Sequence, residues 1–374
     1  MAATATVPVA LMPPPVAFAQ SADYAEALAS LLHTLPQLQR AGYVVQRLSQ
    51  GDLERKKRCG NCNTRCLKYS DKQLRLRPSS ESTGRDTDTK TDKDKTEVQE
   101  TLRCKFHPGK YIKRKWTCCG DFGSAKPCSG AIDHKVRAYG NGELEGQWQF
   151  HHTPAPAAGT QRRAAVAIDC EMGTTYVGDS ELIRLSVVDY FSGDVLVDKL
   201  VFPNVKMKHY NTKYSGVTPQ QMDKAHRRGQ CLMGKGAARK EVWKFVGPST
   251  IVVGHGAQND LSALRWIHHR VVDSFLVENA IARKQAEAEE LAAKLAAETT
   301  DSTTTTASTP VADAAKKPQA RGEKGGLSLK ALVKRRLDRD IQMNGKNGHD
   351  SLEDAIAAKD LVHFHIVALL MNSM

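Results

Sequence analysis

Residues 164–172 read AAVAIDCEM, an apolar run that carries two acidic residues. Such a run is typical of a buried β-strand. Because side chains alternate between the two faces of a strand, Asp169 and Glu171 are predicted to share one face. Two carboxylates on a buried strand are costly unless positive charge compensates them. A divalent cation is the simplest compensation, and sites rich in carboxylate oxygen favour Mg²⁺ or Mn²⁺. The run therefore predicts a buried strand with a metal-binding acidic pair.

The flanking sequence predicts an α/β domain over residues 163–374. Further strands are predicted at ELIRLSVVDY (181–190), DVLVDKLVF (194–202), TIVVGHGA (250–257) and VVDSFLV (271–277), and helices at LSLKALVKRRL (327–337) and SLEDAIAAKDLVHFHIVALLM (351–371). A disordered insertion is predicted over about residues 282–326, although KQAEAEELAAKLAAE (284–298) within it has the composition of a helix.

Two more acidic residues and a histidine occur at predicted helix starts. Asp260 follows the strand TIVVGHG, and Asp354 lies in the first turn of the last helix. Taken singly, such an Asp can simply complement the helix dipole. His349 precedes Asp354 by five positions and could act as a general base, although a lone His at a helix start is commonly solvated or a cap. Together, the carboxylates of Asp169, Glu171, Asp260 and Asp354 would suit two cations about 4 Å apart. Such a pair of cations supports in-line phosphodiester hydrolysis.

Three motifs carry these residues in order: AIDCEMG (167–173), GHGAQND (254–260) and HDSLEDA (349–355). They resemble the three motifs of the DEDDh 3′→5′ exonuclease superfamily. Within it the chain is similar to the eukaryotic Rex-type RNA exonucleases. HYNTKYSGVT (209–218) resembles a Y-N-T-x-Y/F-S-G-I/V-T segment of that branch, and LSLKALVKRRLDRDIQ (327–342) resembles the stretch that precedes its third motif. The resemblance covers about residues 163–370.

The resemblance implies a ribonuclease-H-like fold, in which helices flank a central mixed sheet. It implies that Asp169, Glu171, Asp260 and Asp354 hold two Mg²⁺ or Mn²⁺ ions and that His349 is the base. It also implies release of nucleoside 5′-monophosphates from a free 3′ end. Met172 would lie near the terminal nucleotide, but a core methionine is an equally good interpretation. Asp273, in VVDSFLV, is interpreted as a structural carboxylate.

A Cys/His-rich basic segment over residues 51–140 precedes this domain, after a disordered tail and a helical segment in residues 1–50. Residues 78–97, PSSESTGRDTDTKTDKDKTE, are predicted to be a disordered insert in it. The short C-x-x-C and C-x-x-H spacings suit tetrahedral Zn²⁺. The candidate zinc ligands are Cys59, Cys62, Cys66, Cys104, His107, Cys118, Cys119, Cys128 and His134. They are enough for two sites with one ligand spare, and which of Cys118 and Cys119 ligates stays open.

The second half of this segment resembles the CHORD-type zinc module, so the fold is predicted to be an α/β domain preceded by a small zinc-binding module. Basic runs, with Tyr111 and Trp116 among them, favour single-stranded RNA as its ligand, and protein docking is the alternative. The net charge of +13 fits a polyanionic substrate.

The function predicted from the sequence is that of a 3′→5′ exoribonuclease acting on single-stranded RNA 3′ ends. The alternatives are a DNA exonuclease and a non-catalytic scaffold that uses the zinc module. No apolar run is long enough to predict a membrane span. The basic runs ERKKR (54–58) and KYIKRKW (110–116) suggest a nuclear or nucleolar location, with the cytoplasm as the alternative.

Overall fold

The computed structural model describes residues 18–66, 102–123, 125–157, 159, 161–300, 326–343, 345 and 348–372, with side chains placed up to residue 295 in the segment that ends at 300. The chain divides into two units. The first, the sheet unit, comprises Met1–Gln46, His151–Thr175 and Ser180–Met374. The second, the cysteine unit, comprises Arg47–Phe150 and Tyr176–Asp179. The predicted insert at 78–97 lies outside the described residues.

The described elements are numbered along the chain. The strands are β1 (Cys104–Phe106), β2 (Tyr111–Ile112), β3 (Lys115–Trp116), β4 (Ser129–Ala131), β5 (His151–His152), β6 (Ala165–Thr175), β7 (Ser180–Asp189), β8 (Val195–Phe202), β9 (Met207–His209), β10 (Cys231–Met233), β11 (Ile251–Gly254), β12 (Trp266–Ile267) and β13 (Val271–Asp273). The helices are α1 (Ala22–Ser30), α2 (Leu35–Arg40), α3 (Gln50–Glu54), α4 (Glu143–Gln147), α5 (Thr212–Ser215), α6 (Pro219–Arg227), α7 (Gly234–Val242), α8 (Gln258–Ala263), α9 (Ser274–Thr300), α10 (Leu329–Leu337) and α11 (Ser351–Asn372).

A mixed sheet forms the centre of the sheet unit, in the order β10-β8-β7-β6-β11-β13, with β9 paired to the end of β6. Strand β7 runs antiparallel to both β6 and β8, whereas β11 and β13 run parallel to β6. Strand β6 is central, and its apolar residues are buried on both faces. The central mixed sheet that the sequence predicts is therefore confirmed.

Helices cover both faces of this sheet, as the alternation along β6 requires. Val166, Ile168 and Cys170 lie in one apolar cluster, together with residues of α2, α7 and α8. Ala165 and Ala167 lie in another, together with residues of α1, α9 and α11. Asp169 and Glu171 are an even number of residues from Ala165 and Ala167, so all four side chains lie on the same face of β6. The acidic pair therefore falls on the face of β6 against which α11 packs.

Two predictions downstream of β11 are wrong in part. The predicted strand over 271–277 ends at Asp273, because Ser274 already begins α9. Asp273 Oδ1 accepts the N–H of Phe275 at 3.0 Å, which satisfies a donor in the first helical turn. The helix indicated by the composition of residues 284–298 is confirmed, since α9 continues to Thr300 through this alanine-rich segment. The disorder predicted from about residue 282 is therefore wrong over the first part of the insertion. The rest of it, residues 301–325, lies outside the described residues.

The predicted N-terminal helical segment forms two helices, α1 and α2. Pro36 lies in the first turn of α2, where its missing N–H costs no hydrogen bond. Both helices pack into the sheet unit: Tyr24 and Leu28 join one apolar cluster, and Leu38 joins the other. The sheet unit therefore includes a segment that precedes the cysteine unit in the chain.

The cysteine unit has little regular structure among its described residues. It contains two antiparallel pairs, β1 with β4 and β2 with β3. The buried apolar side chains of its described part are Leu53, Cys59, Cys104, Leu144, Trp148 and Phe150. So small a core is typical of modules that a bound metal stabilises.

No helix in the described part of the chain is both long enough and apolar enough to cross a membrane.

Candidate functional site

Four carboxylates from three elements converge in the sheet unit. Strand β6 supplies Asp169 and Glu171, α8 supplies Asp260, and α11 supplies Asp354. Glu171, Asp260 and Asp354 are 9%, 4% and 6% exposed. The carboxylate of Asp260 also accepts a hydrogen bond from the backbone N–H of Cys170, which lies between Asp169 and Glu171 in the sequence. The structure thus brings together all four acidic residues that the sequence motifs single out.

The cluster carries more negative than positive charge, as the pKa values show. Burial raises the pKa of Asp169 well above its usual range, and the charges of Asp260 and Asp354 raise it further. Burial, followed by the charge of Asp354, raises the pKa of Glu171 to about 8. Burial likewise raises the pKa of Asp260 well above normal. Arg184 and His349 offset only part of this repulsion.

The excess negative charge indicates whether the four carboxylates are suited to bind metal ions. Buried carboxylates that repel one another are stable in ionised form only beside cations, and hard divalent cations prefer such oxygen donors. The donor set contains carboxylates and no thiolate, which favours Mg²⁺ or Mn²⁺ over Zn²⁺. The four residues therefore fit divalent cations of this class.

His349 lies at the edge of the carboxylate cluster. Its Nδ1 is 3.6 Å from Asp354 Oδ2, and 46% of its side chain is exposed. Its interaction with Asp354 raises the histidine pKa above its usual value. The ring is therefore held beside a carboxylate and is still accessible to water, as a general base must be.

The backbone around His349 is positioned by the HYNTKYSGVT segment. The N–H of His349 donates to the carbonyl oxygen of Tyr214 at 2.6 Å. Gly348 precedes it with φ +83°, and a Cβ built there would lie 2.1 Å from the backbone nitrogen of Gly216. Only glycine fits this conformation and this close approach. Two motifs that are separate in the sequence thus meet through backbone contacts at the site.

Two residues that the sequence motifs did not single out contact the site. Gln342 has φ +56°, and its Nε2 donates to both oxygens of Asp354, at 3.1 and 3.0 Å. Arg184 lies on β7 directly opposite Glu171. It binds Asp198 at 2.9 Å and Asp350 at 3.0 Å. Gln342 ends the LSLKALVKRRLDRDIQ segment, which is the one signal that could have indicated it.

Met172 and Asp273 have structural contacts. Met172 is half-buried and packs against the larger apolar cluster, and its carbonyl accepts Asn211 Nδ2 at 3.1 Å. Asp273 is fully buried. It accepts the hydroxyl of Tyr43 at 2.5 Å and the N–H of Gly256 at 2.8 Å. These bonds tie the segment that follows α2 and the GHGAQND loop to β13, in keeping with a structural carboxylate.

Two groups of potential metal-ligand atoms occur among the described residues of the cysteine unit. Within each group, all the ligand atoms lie within 4.8 Å of one another. The first group is Cys59, Cys62, Cys104 and His134, and the second is His107, Cys118, Cys119 and Cys128. Eight of the nine predicted ligands are in these groups, and Cys66 is in neither. Both Cys118 and Cys119 belong to the second group, so the structure does not force a choice between them.

The donor spacing in both groups suits one tetrahedral ion each. Cys59 Sγ lies 3.6 Å from Cys104 Sγ, and Cys62 Sγ lies 3.2 Å from His134 Nδ1. In the second group, Cys128 Sγ is 3.5 Å from Cys118 Sγ. Two thiolates on a tetrahedral Zn²⁺, with Zn–S bonds of about 2.3 Å, lie about 3.8 Å apart. Two thiolate-rich clusters can therefore hold zinc.

Comparison with known proteins relates the chain to nucleases. RNA exonuclease 3 of Emericella nidulans is 28% identical over an alignment of 295 residues that covers 69% of this chain and 40% of that protein. RNA exonuclease 3 of Candida albicans is 28% identical over 277 residues, 73% of this chain and 56% of that protein. This chain is similar in sequence to RNA exonucleases. The predicted resemblance to DEDDh-type exonucleases is confirmed.

Other comparisons are shorter or weaker. The apoptosis-enhancing nuclease of Rattus norvegicus is 35% identical over 211 residues, 55% of this chain and 49% of that protein. The Pan2 catalytic unit of Neurospora crassa superimposes with a TM-score of 0.40 at 19% identity, covering 65% of this chain and 35% of that one. No protein-family model matches the chain. The chain spans about half the length of the curated relatives it matches.

Proposed function

We propose that this chain is a 3′→5′ exoribonuclease that hydrolyses RNA from its 3′ end to nucleoside 5′-monophosphates. The observation that carries the proposal is the cluster of Asp169, Glu171, Asp260 and Asp354, three of them buried, beside an accessible histidine, in a chain similar to RNA exonucleases. A purely structural role would not bring four mutually repelling carboxylates together with three of them buried, because each buried ion has a desolvation cost.

The four carboxylates would hold two Mg²⁺ or Mn²⁺ ions, which supply charge to activate water and to stabilise the leaving oxygen. His349 takes a proton from the attacking water as its oxygen bonds to phosphorus. The bond from phosphorus to the 3′ oxygen of the preceding nucleotide breaks, and that oxygen receives a proton. Gln342, through its bonds to both Asp354 oxygens, orients this carboxylate between the cluster and His349. Met172 is a proposed contact of the terminal nucleotide.

RNA is proposed over DNA because the fungal relatives are named RNA exonucleases. DNA is the second candidate, since the name of the rat relative specifies a nuclease without a sugar. We further propose that the cysteine unit binds one Zn²⁺ in each of its two clusters and that the protein acts in the nucleus, where its basic runs would direct it.

The test uses 5′-labelled and 3′-labelled single-stranded RNA and DNA of one sequence, with Mg²⁺ or Mn²⁺. We expect immediate release of labelled mononucleotide from 3′-labelled RNA and a shortening ladder from 5′-labelled RNA. Asp169→Asn should abolish both. Asp223→Asn, which removes an exposed carboxylate from α6, is the matched control and should keep full activity. Internal cuts, or activity in Asp169→Asn equal to that of the control, would overturn the proposal. Faster digestion of DNA than of RNA would select the second candidate.

A further inference from the structure

The β2–β3 hairpin of the cysteine unit has an unusual turn. The two turn residues, Lys113 and Arg114, have φ angles of +47° and +68°. Two-residue hairpin turns with both φ angles positive strongly prefer Asn-Gly or Gly-Gly, because other side chains are strained there. Here two long cationic side chains occupy the strained positions. Strain at a charged, exposed hairpin tip suggests that the charges themselves are needed at this place.

Aromatic rings are exposed beside this hairpin tip. Tyr111 is 45% exposed and Phe122 is 64% exposed. Tyr111 lies against Trp116, with ring centroids 5.2 Å apart. Lys115 Nζ lies 5.5 Å from the centroid of Phe122. A Cβ on Gly123 would lie 2.6 Å from the Tyr111 hydroxyl, so glycine is what lets this ring lie against the backbone. Neighbouring apolar rings that are exposed together among polar residues are typical of a binding site.

The second Cys/His cluster holds these rings in place. The imidazole of His107, a member of that cluster, stacks on Trp116 at 4.4 Å with an interplanar angle of 8°. Trp116 in turn packs against Tyr111. The ring of a metal-ligand candidate thus supports the aromatic surface from below, and a bound ion would make the surface rigid.

The charge around the rings has one sign. Residues 105–126 contain six exposed cations, which are Lys105, Lys110, Lys113, Arg114, Lys115 and Lys126, and a single acid, Asp121. Cations that follow a sugar–phosphate chain, together with exposed rings on which bases stack, are the two features that single-stranded nucleic-acid sites combine. A docked protein would need matching acidic groups and an apolar core, whereas a polyanion with unpaired bases satisfies both features at once.

We propose that Tyr111, Phe122 and the surrounding cations form a stacking platform for single-stranded RNA, separate from the carboxylate site. The platform would bind unpaired bases on the two rings and phosphates on Lys113, Arg114 and Lys115. The choice of RNA rests on the proposed function. The platform would act by holding a long substrate, so it should matter for RNA affinity and not for the hydrolysis of very short substrates.

The test measures binding of a fluorescein-labelled single-stranded 16-mer RNA by anisotropy, using the full chain with Asp169→Asn so that the probe stays intact. The double change Tyr111→Ala and Phe122→Ala should weaken binding at least about tenfold, since each stacked base contributes on that order. Tyr111→Phe with Phe122→Tyr keeps the ring faces and should restore the affinity. The matched control is Tyr176→Ala, which removes an exposed ring of the same unit outside the platform.

Two further readouts separate this proposal from its alternatives. Zinc content of each variant, measured by elemental analysis, should equal that of the parent, so that a loss of binding reports the rings and not unfolding. Equal affinity of the double variant and Tyr176→Ala would overturn the platform, and would leave protein docking as the use of this surface. Hydrolysis of a dinucleotide by chains that retain Asp169 tests the carboxylate site independently: the platform variants should match the parent there, whether or not the enzyme prefers RNA.

Discussion

Replacing Gly348 with alanine tests whether the approach of two loops positions His349. The new Cβ would lie 2.1 Å from Gly216 N, 2.6 Å from Gly216 Cα and 2.9 Å from the carbonyl oxygen of Thr212. Ordinary van der Waals contact begins at 3.4 Å, so the loops must separate by more than 1 Å. All three clashing atoms are backbone, and no side chain can rotate away. His349 directly follows Gly348 in the chain, so a shift of this loop would displace His349.

A displacement of about 1 Å at a reacting group typically lowers the rate about 100-fold. We therefore expect Gly348→Ala to lower kcat on 3′-labelled RNA about 100-fold, with the larger effect on kcat rather than on KM, because the histidine and not the RNA-binding surface has moved. The left-handed backbone adds a stability loss of about 1 kcal/mol. Such a loss lowers Tm by a few degrees and leaves the protein folded at 25 °C.

Gly345→Ala is the matched control. Gly345 also has a left-handed φ, +55°, but no atom of the described residues lies within 4 Å of its Cβ position. It should show a similar loss of Tm and nearly full kcat. The measurements are steady-state hydrolysis at 25 °C over a range of RNA concentrations, which gives kcat and KM, and thermal unfolding of the three proteins. Equal activity of the two variants would refute the reasoning, because the clash would then have no consequence for the site.

Three other outcomes follow from the structure. His268 donates Nε2–H to the Thr250 carbonyl, and its burial lowers its pKa to about 4. The free energy of unfolding should therefore fall by about 3 kcal/mol as pH drops from 6.5 to 4, because the unfolded chain binds the proton more tightly. His268→Gln should flatten this pH dependence, as measured by urea unfolding. Burial would raise the pKa of Glu278, but bonds from neighbouring cations outweigh it and hold the pKa at about 2. Glu278→Gln should therefore lower the free energy of unfolding by about 3 kcal/mol at pH 7, as measured by thermal unfolding. The difference between the two proteins should shrink as pH falls from 4.5 towards 2. Cys62→Ser should lower the zinc content from about two ions per chain to about one, whereas Cys66→Ser should leave it unchanged; equal losses would contradict the assignment of Cys66 outside both clusters.

The central strand and the acidic residues were predictable because their signals are local. The alternation in AAVAIDCEM is visible in nine consecutive residues, and the order of the three motifs identifies the remaining acids. The fold of the sheet unit followed from that resemblance and is confirmed. Metal binding by these carboxylates and the role of His349 stay predictions, to be decided by experiment.

Contacts between distant segments were not predictable. Arg184 is opposite Glu171 only because of the register of β6 with β7, which no short pattern encodes. Gln342 reaches Asp354 from a loop position with φ +56°, which its residue type does not indicate. The start of α9 at Ser274 was missed because VVDSFLV is too short and too apolar for its periodicity to separate strand from helix.

The most direct test of the central claim is hydrolysis of a 3′-hydroxyl RNA in H₂¹⁸O with Mg²⁺, followed by mass spectrometry of the released nucleotide. The carboxylate–histidine site predicts nucleoside 5′-monophosphate that carries one ¹⁸O on phosphorus, because water attacks phosphorus and the 3′ oxygen leaves. Asp169→Asn should release none. Nucleoside 3′-phosphates or 2′,3′-cyclic phosphates, or labelled product undiminished in Asp169→Asn, would contradict the account.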